Sequence, residues 1–247
     1  MNIVLLGHDD IASRIALNLI FTRLPEHRCR LFVAGRLSDG DHPLPKRLER
    51  LDRIDQQFCA SLPWTAAGES KRLPAPNSEA GLADLAACDP DLFISVRYRR
   101  ILHAAAIAIP RHGVLNLHSG LLPEYRGVMA TFWAMLNGEK DIGCTLHAIV
   151  DKTIDTGPII GRSRNPVRTE WSYLANVLEL YPSACRMVTD AVMKISAGEP
   201  LGPTAQTGDG HYYSTPRSQD LDRFAARGLH LADPDDLDAF LARHAKY

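Results

Sequence analysis

Three polar side chains near the middle of the chain have the types and spacing of a group-transfer site. Asn116 and His118 lie two residues apart in a strand-like run, so both side chains project from the same face. An amide carries a fixed NH2 donor that can stabilise an oxyanion, and an imidazole handles protons near neutral pH. Asp155, in a later polar loop, can orient that imidazole or relay a proton through water. Together these groups favour acyl-transfer chemistry.

The same stretch offers no candidate for a covalent nucleophile. No serine in it occupies a nucleophile elbow, and Cys144 lies in the middle of a predicted strand. The residues therefore favour direct transfer between two bound molecules over a covalent acyl-enzyme. Taken alone, an Asn-x-His pair at a strand end is more often a satisfied polar edge than a catalytic pair, so the neighbouring sequence decides.

The neighbouring sequence resembles the formyltransferase family that uses 10-formyltetrahydrofolate. The resemblance is carried by NLHSGLLPEYRG, a Trp-containing helix and GCTLHAIVDKTIDTGPII, and the first 200 residues share it loosely. That family includes methionyl-tRNA, glycinamide-ribonucleotide and sugar-nucleotide formyltransferases. The resemblance implies that Asn116, His118 and Asp155 are the catalytic residues. One departure is visible, because Gly120 stands where the family has a serine and the serine is shifted to Ser119.

The resemblance also implies binding residues for 10-formyltetrahydrofolate as co-substrate, with no metal. The tract after the Leu92–Val96 run corresponds to the family's pterin pocket. The implied cofactor-binding residues are Tyr98, Arg100, Ile101, Leu102, Leu121, Leu122, Pro123 and Asp151. Arg126 and Gly127, in the Tyr-Arg-Gly turn, are candidate acceptor contacts, although Arg126 can equally be a loop organiser. His147 lies on a second predicted strand, 144–150, where a structural or pocket-lining role is favoured over proton transfer.

Apolar runs alternate with amphipathic helical stretches and predict how these residues are positioned. Strands are expected at 2–6, 30–34, 92–96 and 114–118, with helices between them. This alternation predicts a Rossmann-like α/β fold, with a mostly parallel twisted sheet and helices on both faces. Ligands bind beyond the carboxyl ends of such strands, where residues 97–102 and Asn116–His118 should meet. The first turn, Gly7-His8-Asp9-Asp10, is acidic and is not G-x-G-x-x-G, so a dinucleotide site is disfavoured.

The last part of the chain is expected to form a small C-terminal extension. We predict a catalytic domain over residues 1–200 and the extension over 201–247. A helix over 171–197, which Pro182 should kink or divide, precedes a linker rich in Gly, Pro and Thr. Beyond it we expect a short strand at Tyr212–Tyr213 and two helices. Methionyl-tRNA formyltransferases usually carry a β-barrel there, whereas this acidic tail argues against nucleic-acid binding.

Composition is that of an ordinary globular enzyme. The 247 residues are 45% apolar and carry a formal net charge of −1, which gives no reason to expect a polyanionic partner. The five cysteines are widely spaced, without a zinc-site pattern, and no apolar run reaches membrane-spanning length. We therefore expect a soluble cytoplasmic protein without a membrane partner; a homodimer is one option.

The expected reaction is transfer of a formyl group to a primary amine or hydroxylamine of a small molecule. Nucleotide-linked amino sugars and amino-acid-derived amines are the acceptors considered. Two alternatives remain open. One is a hydrolase that releases formate from 10-formyltetrahydrofolate, and the other is a folate-binding module without turnover.

Overall fold

A seven-stranded sheet forms the centre of the described residues. The computed structural model describes residues 1–35, 44–64 and 70–244. The sheet order is β3-β2-β1-β4-β5-β7-β8, and the described part of the chain also has a two-stranded sheet of β6 and β9. The strands are β1 (Asn2–Gly7), β2 (Arg28–Val33), β3 (Ser70–Arg72), β4 (Leu92–Val96), β5 (Val114–His118), β6 (Tyr125–Gly127), β7 (Asp141–Ile149), β8 (Ile159–Pro166) and β9 (His211–Tyr213).

Eight helices accompany the strands in the described ranges. They are α1 (Ile11–Thr22), α2 (Lys46–Ser61), α3 (Glu79–Ala86), α4 (Ala104–Ile107), α5 (Ala130–Asn137), α6 (Tyr173–Ser196), α7 (Ser218–Ala226) and α8 (Pro234–Arg243). Strands β3, β2, β1, β4 and β5 are parallel to one another, whereas β7 is antiparallel to both β5 and β8. The predicted α/β class with a mostly parallel sheet is confirmed.

Both faces of the sheet are covered. Along β1, Ile3 and Leu5 join the apolar cluster that contains residues of α1 and α6, whereas Val4 and Leu6 join a second cluster with residues of α3 and α4. Successive side chains of a strand point to opposite faces, so a continuous apolar run is what a doubly covered strand requires. The buried parallel strands were therefore readable from the sequence.

Three strands did not have a sequence signal. Strand β3 is the exposed tripeptide Ser-Lys-Arg, and β6 lies within a turn-rich segment. Strand β8 alternates polar residues outward from Arg162 onward and forms the antiparallel edge. These strands are specified by pairing with a neighbour rather than by their own composition.

Pro182 does not divide the long helix, so that one of the two expected outcomes, division of the helix, is wrong. Helix α6 runs unbroken from Tyr173 to Ser196 with Pro182 inside it. A proline in a helix interior costs ~3 kcal/mol. The inner face of α6, including Leu178, Tyr181 and Cys185, is fully buried in the main apolar cluster, and this packing outweighs the local cost.

The C-terminal helices pack on the same cluster as the sheet. Leu221 and Phe224 of α7, and Leu237 and Phe240 of α8, are buried in it. The ring of Phe224 stacks on Phe132 of α5 at 4.5 Å between centroids. Helix α8 begins as predicted at Pro234, after Asp233 as N-cap, and ends at Arg243.

Candidate active site

A cleft of about 410 Å³ opens at the carboxyl ends of β4 and β5. Its walls are residues 97–102 after β4, the end of β5 with Ser119, and residues 151–155 after β7. The residues that carry chemistry therefore meet where a parallel sheet places its loops. The predicted meeting of the β4 and β5 exits is confirmed.

Asn116, His118 and Asp155 come together on one wall of this cleft. The Nδ2 of Asn116 donates to Oδ1 of Asp155 at 3.3 Å, and Nδ1 of His118 lies 3.4 Å from Oδ2 of Asp155. The side chains of His118 and Asp155 are only 8% and 10% exposed. An amide, an imidazole and a carboxylate therefore share one hydrogen-bonded, largely buried group.

The backbone holds Asp155 in an unusual conformation and its carboxylate in the charged form. Its φ is +55°, a left-handed value that costs energy for a residue other than glycine. Burial acts to raise the pKa of Asp155, but His118, His147 and the Gly127 amide, which donates to Oδ2 at 2.8 Å, together lower it to about 2. Asp155 is thus ionised and accepts hydrogen bonds.

His118 has a defined orientation. Its Nε2 lies 2.7 Å from the carbonyl oxygen of Tyr125, and because a carbonyl only accepts, Nε2 carries the proton. Nδ1 therefore faces Asp155. A Cβ at position 120 would lie 2.5 Å from Nε2 of His118 and 2.8 Å from the Tyr125 carbonyl oxygen. This close approach explains why glycine occupies position 120, the departure noted in the sequence.

His147 joins the group from the neighbouring strand. It pairs with Asn116 in the β5–β7 register, and its Nε2 lies 3.0 Å from Nδ2 of Asn116 and 3.4 Å from Oδ1 of Asp155. Its Nδ1 lies 3.0 Å from the carbonyl oxygen of Ala148. Since the carboxylate must accept, the amide donates to both Asp155 and Nε2, and the proton of His147 is on Nδ1.

Most of the predicted cofactor-binding residues line the cleft. Tyr98, Arg100, Ile101, Leu102 and Asp151 all do, although the three polar side chains already have partners within the protein, and Asp151 accepts from the Thr153 amide at 2.7 Å. The Tyr98 hydroxyl donates to the Leu73 carbonyl at 2.6 Å, and Nε of Arg100 donates to the Pro74 carbonyl at 2.9 Å. Burial raises the pKa of Tyr98, so its phenol stays protonated. Ile101 is 48% exposed and presents an apolar surface.

Leu121, Leu122 and Pro123 do not belong to the cleft lining. The Leu122 amide donates to Oγ1 of Thr145 at 3.1 Å, and its carbonyl accepts from Arg162 at 2.9 and 3.0 Å. These bonds turn the segment inward and secure the loop behind His118. Direct contact of these three residues with a cofactor stays a prediction that their positions do not favour.

Of the two predicted acceptor contacts, only one lines the cleft. Gly127 lines the cleft and donates to Asp155, whereas Arg126 points away from it, with Nη2 and Nε donating to Oε1 of Gln206 at 3.0 and 3.3 Å. The sequence did not indicate that Tyr212 and Thr215 also line the cleft. Tyr212 belongs to β9, which pairs with β6 in parallel. That pairing joins distant segments, so no local pattern marks it.

Arg97 lines the cleft, but its guanidinium forms an ion pair within the fold, near the buried ring of His8. Nη2 of Arg97 lies 2.8 Å from Oδ2 of Asp10, which also caps α1 by accepting from the Ser13 amide at 2.7 Å. Burial acts to raise the pKa of Asp10, but Arg97 holds it well below its ordinary value. Burial lowers the pKa of His8 to about 3, so its ring stays neutral.

Two further findings concern the described ranges as a whole. Within them, no group of three or more His, Cys, Asp or Glu side chains has the arrangement of a metal site. None of their helices has the length and apolar character needed to cross a bilayer.

Sequence comparison then identifies the family. Residues 53–174 match the sequence profile described as Formyl transferase, and this segment contains Asn116, His118, His147 and Asp155. This segment, about half of the chain, belongs to the formyl transferase family. This is a family of one-carbon group transferases, so the recognition made from the sequence motifs is confirmed.

Individual members of the formyl transferase family are similar over part of their length. A methionyl-tRNA formyltransferase from a Synechococcus species is 34% identical over 125 residues, which are 51% of this chain and 38% of that protein. A GDP-perosamine N-formyltransferase from Brucella melitensis is 31% identical over 140 residues, 57% of this chain and 53% of that protein. The chain thus matches about half or less of the length of these relatives.

A solved structure shares the fold. HypX from Aquifex aeolicus, in complex with tetrahydrofolic acid, superposes with a TM-score of 0.61 and 18% identity, covering 89% of this chain and 30% of that one. At this identity the likeness concerns the fold alone.

Proposed function

We propose that this chain transfers a formyl group from 10-formyltetrahydrofolate to a primary amine or hydroxylamine of a small molecule. The observation that carries the proposal is the convergence of Asn116, His118 and Asp155 on one cleft wall, with both partners of Asp155 within 3.4 Å. Membership of the formyl transferase family gives this group its reaction class.

Each polar side chain has a proposed role. When bound, 10-formyltetrahydrofolate supplies a carbon at the formyl level of oxidation. The Asn116 amide exchanges its hydrogen bond to Nε2 of His147 for one to the formyl oxygen and stabilises the negative charge that develops there, and the His118 ring adds a positive charge once it is protonated. Ionised Asp155 and His118 take up the proton that the attacking amine loses and return it to the leaving nitrogen.

The cleft has the size and lining for the co-substrate. Its volume of about 410 Å³ lies in the range of small-molecule pockets. One wall combines the apolar side chains of Ile101, Leu102 and Ile149 with the backbone of residues 97–102. We propose that this wall, with Tyr98, Arg100 and Asp151, holds the pterin. The HypX structure, which contains tetrahydrofolic acid in a protein of the same fold, supports a folate as the co-substrate.

A small amine is the proposed acceptor. The GDP-perosamine N-formyltransferase among the relatives, named for an amino-sugar nucleotide, supports this class. The methionyl-tRNA formyltransferase relative points to tRNA instead. The first turn of α8 is acidic at Asp235 and Asp236, a sign of charge that disfavours nucleic acid.

A mass-spectrometric screen tests the proposal. The purified chain is incubated with 10-formyltetrahydrofolate and a panel of nucleotide-linked amino sugars, hydroxylamines and amino-acid amines. We expect one class to gain a formyl group, and Asn116→Ala to reduce that rate ~10²- to 10³-fold, as for loss of an oxyanion donor. Asn165→Ala, on β8 outside the cleft lining, is the matched control. Formate release without any amine, or no product with any acceptor, would refute formyl transfer.

A further inference from the structure

The segment 204–214, called the clamp segment below, pairs with two parts of the chain next to the catalytic residues, Ile159 and strand β6. Thr204 forms a two-bond antiparallel bridge to Ile159, at 2.7 and 2.8 Å. Strand β9 pairs with β6, where the Gly127 amide donates to Asp155. The clamp segment therefore connects the loop that carries Asp155 with the turn that binds its carboxylate.

One side chain of the clamp segment, Gln206, makes the central contacts. Its Nε2 donates to the carbonyl oxygens of Asp155 and Gly157, both at 2.8 Å. Its Oε1 accepts from Nη2 of Arg126 at 3.0 Å and from Nε at 3.3 Å. Both ends of the amide are thus satisfied, one by the Asp155 loop and the other by the residue next to Gly127.

The backbone that Gln206 contacts is conformationally restricted. Asp155 has a left-handed φ of +55°, and a Cβ at Gly157 would lie 1.8 Å from the Ala148 carbonyl oxygen. A residue in this conformation persists only where its surroundings fix it. The two carbonyl bonds from Gln206 supply such fixing through the backbone, whereas His118 and Asn116 contact the carboxylate of Asp155.

We propose that Gln206 is a positioning residue, which holds the Asp155 backbone so that the carboxylate meets His118, Asn116 and the Gly127 amide. The clamp segment is then a working part of the active site, although it lies beyond residue 200. This inference rests on the proposed formyl transfer, because its kinetic readout is that reaction. Gln206 itself does not line the cleft, so it acts through Asp155.

Two substitutions of Gln206 test the hydrogen-bonding functions of its side-chain amide. Gln206→Glu keeps an oxygen for Arg126 but replaces the donor to the Asp155 and Gly157 carbonyls with a second oxygen. Gln206→Met has similar size and keeps neither function. If Gln206 positions Asp155, both variants should lower kcat ~10-fold or more, with the KM for 10-formyltetrahydrofolate changed less than ~3-fold. Gln219→Glu, exposed on α7, is the charge-matched control and should equal the wild type.

Hydrogen exchange of the free protein provides a readout that does not need turnover. The amides of residues 153–157 should exchange faster in both Gln206 variants than in the wild type and in Gln219→Glu. Wild-type kcat and unchanged exchange in Gln206→Glu would overturn the inference, even while Asp155→Asn remains inactive. If the wild type itself transfers no formyl group, the proposed function fails, and the exchange result still decides whether Gln206 holds the loop.

Discussion

Two strands of the sheet each place one histidine next to the carboxylate of Asp155, and the two histidine rings are anchored by different contacts. His118 lies at the end of β5 and His147 in β7, and each ring has a nitrogen 3.4 Å from an oxygen of Asp155. The His118 ring is anchored by the carbonyl of Tyr125, the first residue of β6, seven positions along the chain. The His147 ring is anchored by the carbonyl of the next residue on its own strand, Ala148.

Because a different ring nitrogen is protonated in each histidine, we expect the two rings to have different roles. With Nε2 of His118 protonated against Tyr125, its Nδ1 faces the carboxylate and is the nitrogen that can exchange a proton with Asp155. With Nδ1 of His147 protonated against Ala148, its Nε2 accepts from the Asn116 amide. His118 is therefore placed for proton transfer, whereas His147 fixes the amide.

Removing the shared carboxylate charge should give the largest effect. In Asp155→Asn the side chain keeps its shape, so the Gly127 amide retains an acceptor, but neither ring faces an anion. We expect the single-turnover rate constant to fall ~10³-fold, with a native circular dichroism spectrum. A fall of less than ~10-fold would show that neither histidine works through this carboxylate.

Replacing His118, the ring expected to transfer the proton, should give the next largest loss of activity. Gln in place of His118 can still donate to the Tyr125 carbonyl from the position of Nε2, but it has no nitrogen to take a proton at the position of Nδ1. We expect kcat to fall ~10²-fold with a normal fold by circular dichroism. If His118→Gln retains full activity, the proposed difference between the two histidines is wrong, because His118 would then only orient its neighbours, as His147 does.

The buried carboxylate also predicts a pH dependence of stability. Its folded pKa of about 2 lies below the ordinary value of 3.8, so it stabilises the fold above that value and loses this contribution as pH falls through about 2. The difference corresponds to ~2 kcal/mol. In urea titrations, the advantage of wild type over Asp155→Asn should shrink between pH 4 and pH 2. A constant difference across that window would contradict the depressed pKa.

Replacing His147 should give the smallest loss of activity, and a conservative variant should restore most of it. His147→Leu removes the acceptor for the Asn116 amide, and we expect a ~10-fold lower kcat, the size of one lost hydrogen bond. His147→Gln places a carbonyl oxygen near the position of Nε2 and should recover most of this loss. Equal loss in both variants would assign proton transfer to His147 as well.

The catalytic candidates were visible in the sequence because their signals are local. Asn116 and His118 are two residues apart in a strand, and Asp155 lies in a loop bounded by recognisable motifs. The parallel strands and most helices were likewise readable, since period and apolar content mark a doubly covered sheet. Their roles as catalytic residues remain predictions that the substitutions above test.

The contacts that hold the candidates came only from the three-dimensional fold. His147 was expected to be structural or pocket-lining, yet it bonds to Asn116 because β7 runs antiparallel beside β5. Leu121, Leu122 and Pro123 read as cofactor contacts but turn inward, where Thr145 and Arg162 bind the Leu122 backbone. Strand direction and the side to which a loop folds depend on pairing partners, which a local pattern does not contain.

The sequence by itself determined the candidate catalytic residues, the strand that carries two of them and the family that the central segment resembles. Tertiary structure decided which nitrogen of each histidine faces the carboxylate, how Asp155 is kept at a positive φ, and that Gln206, 51 residues beyond it, holds its carbonyl. Side-chain type and spacing are properties of a short segment. A hydrogen bond across such a separation exists only once the sheet and the C-terminal helices have packed on one core.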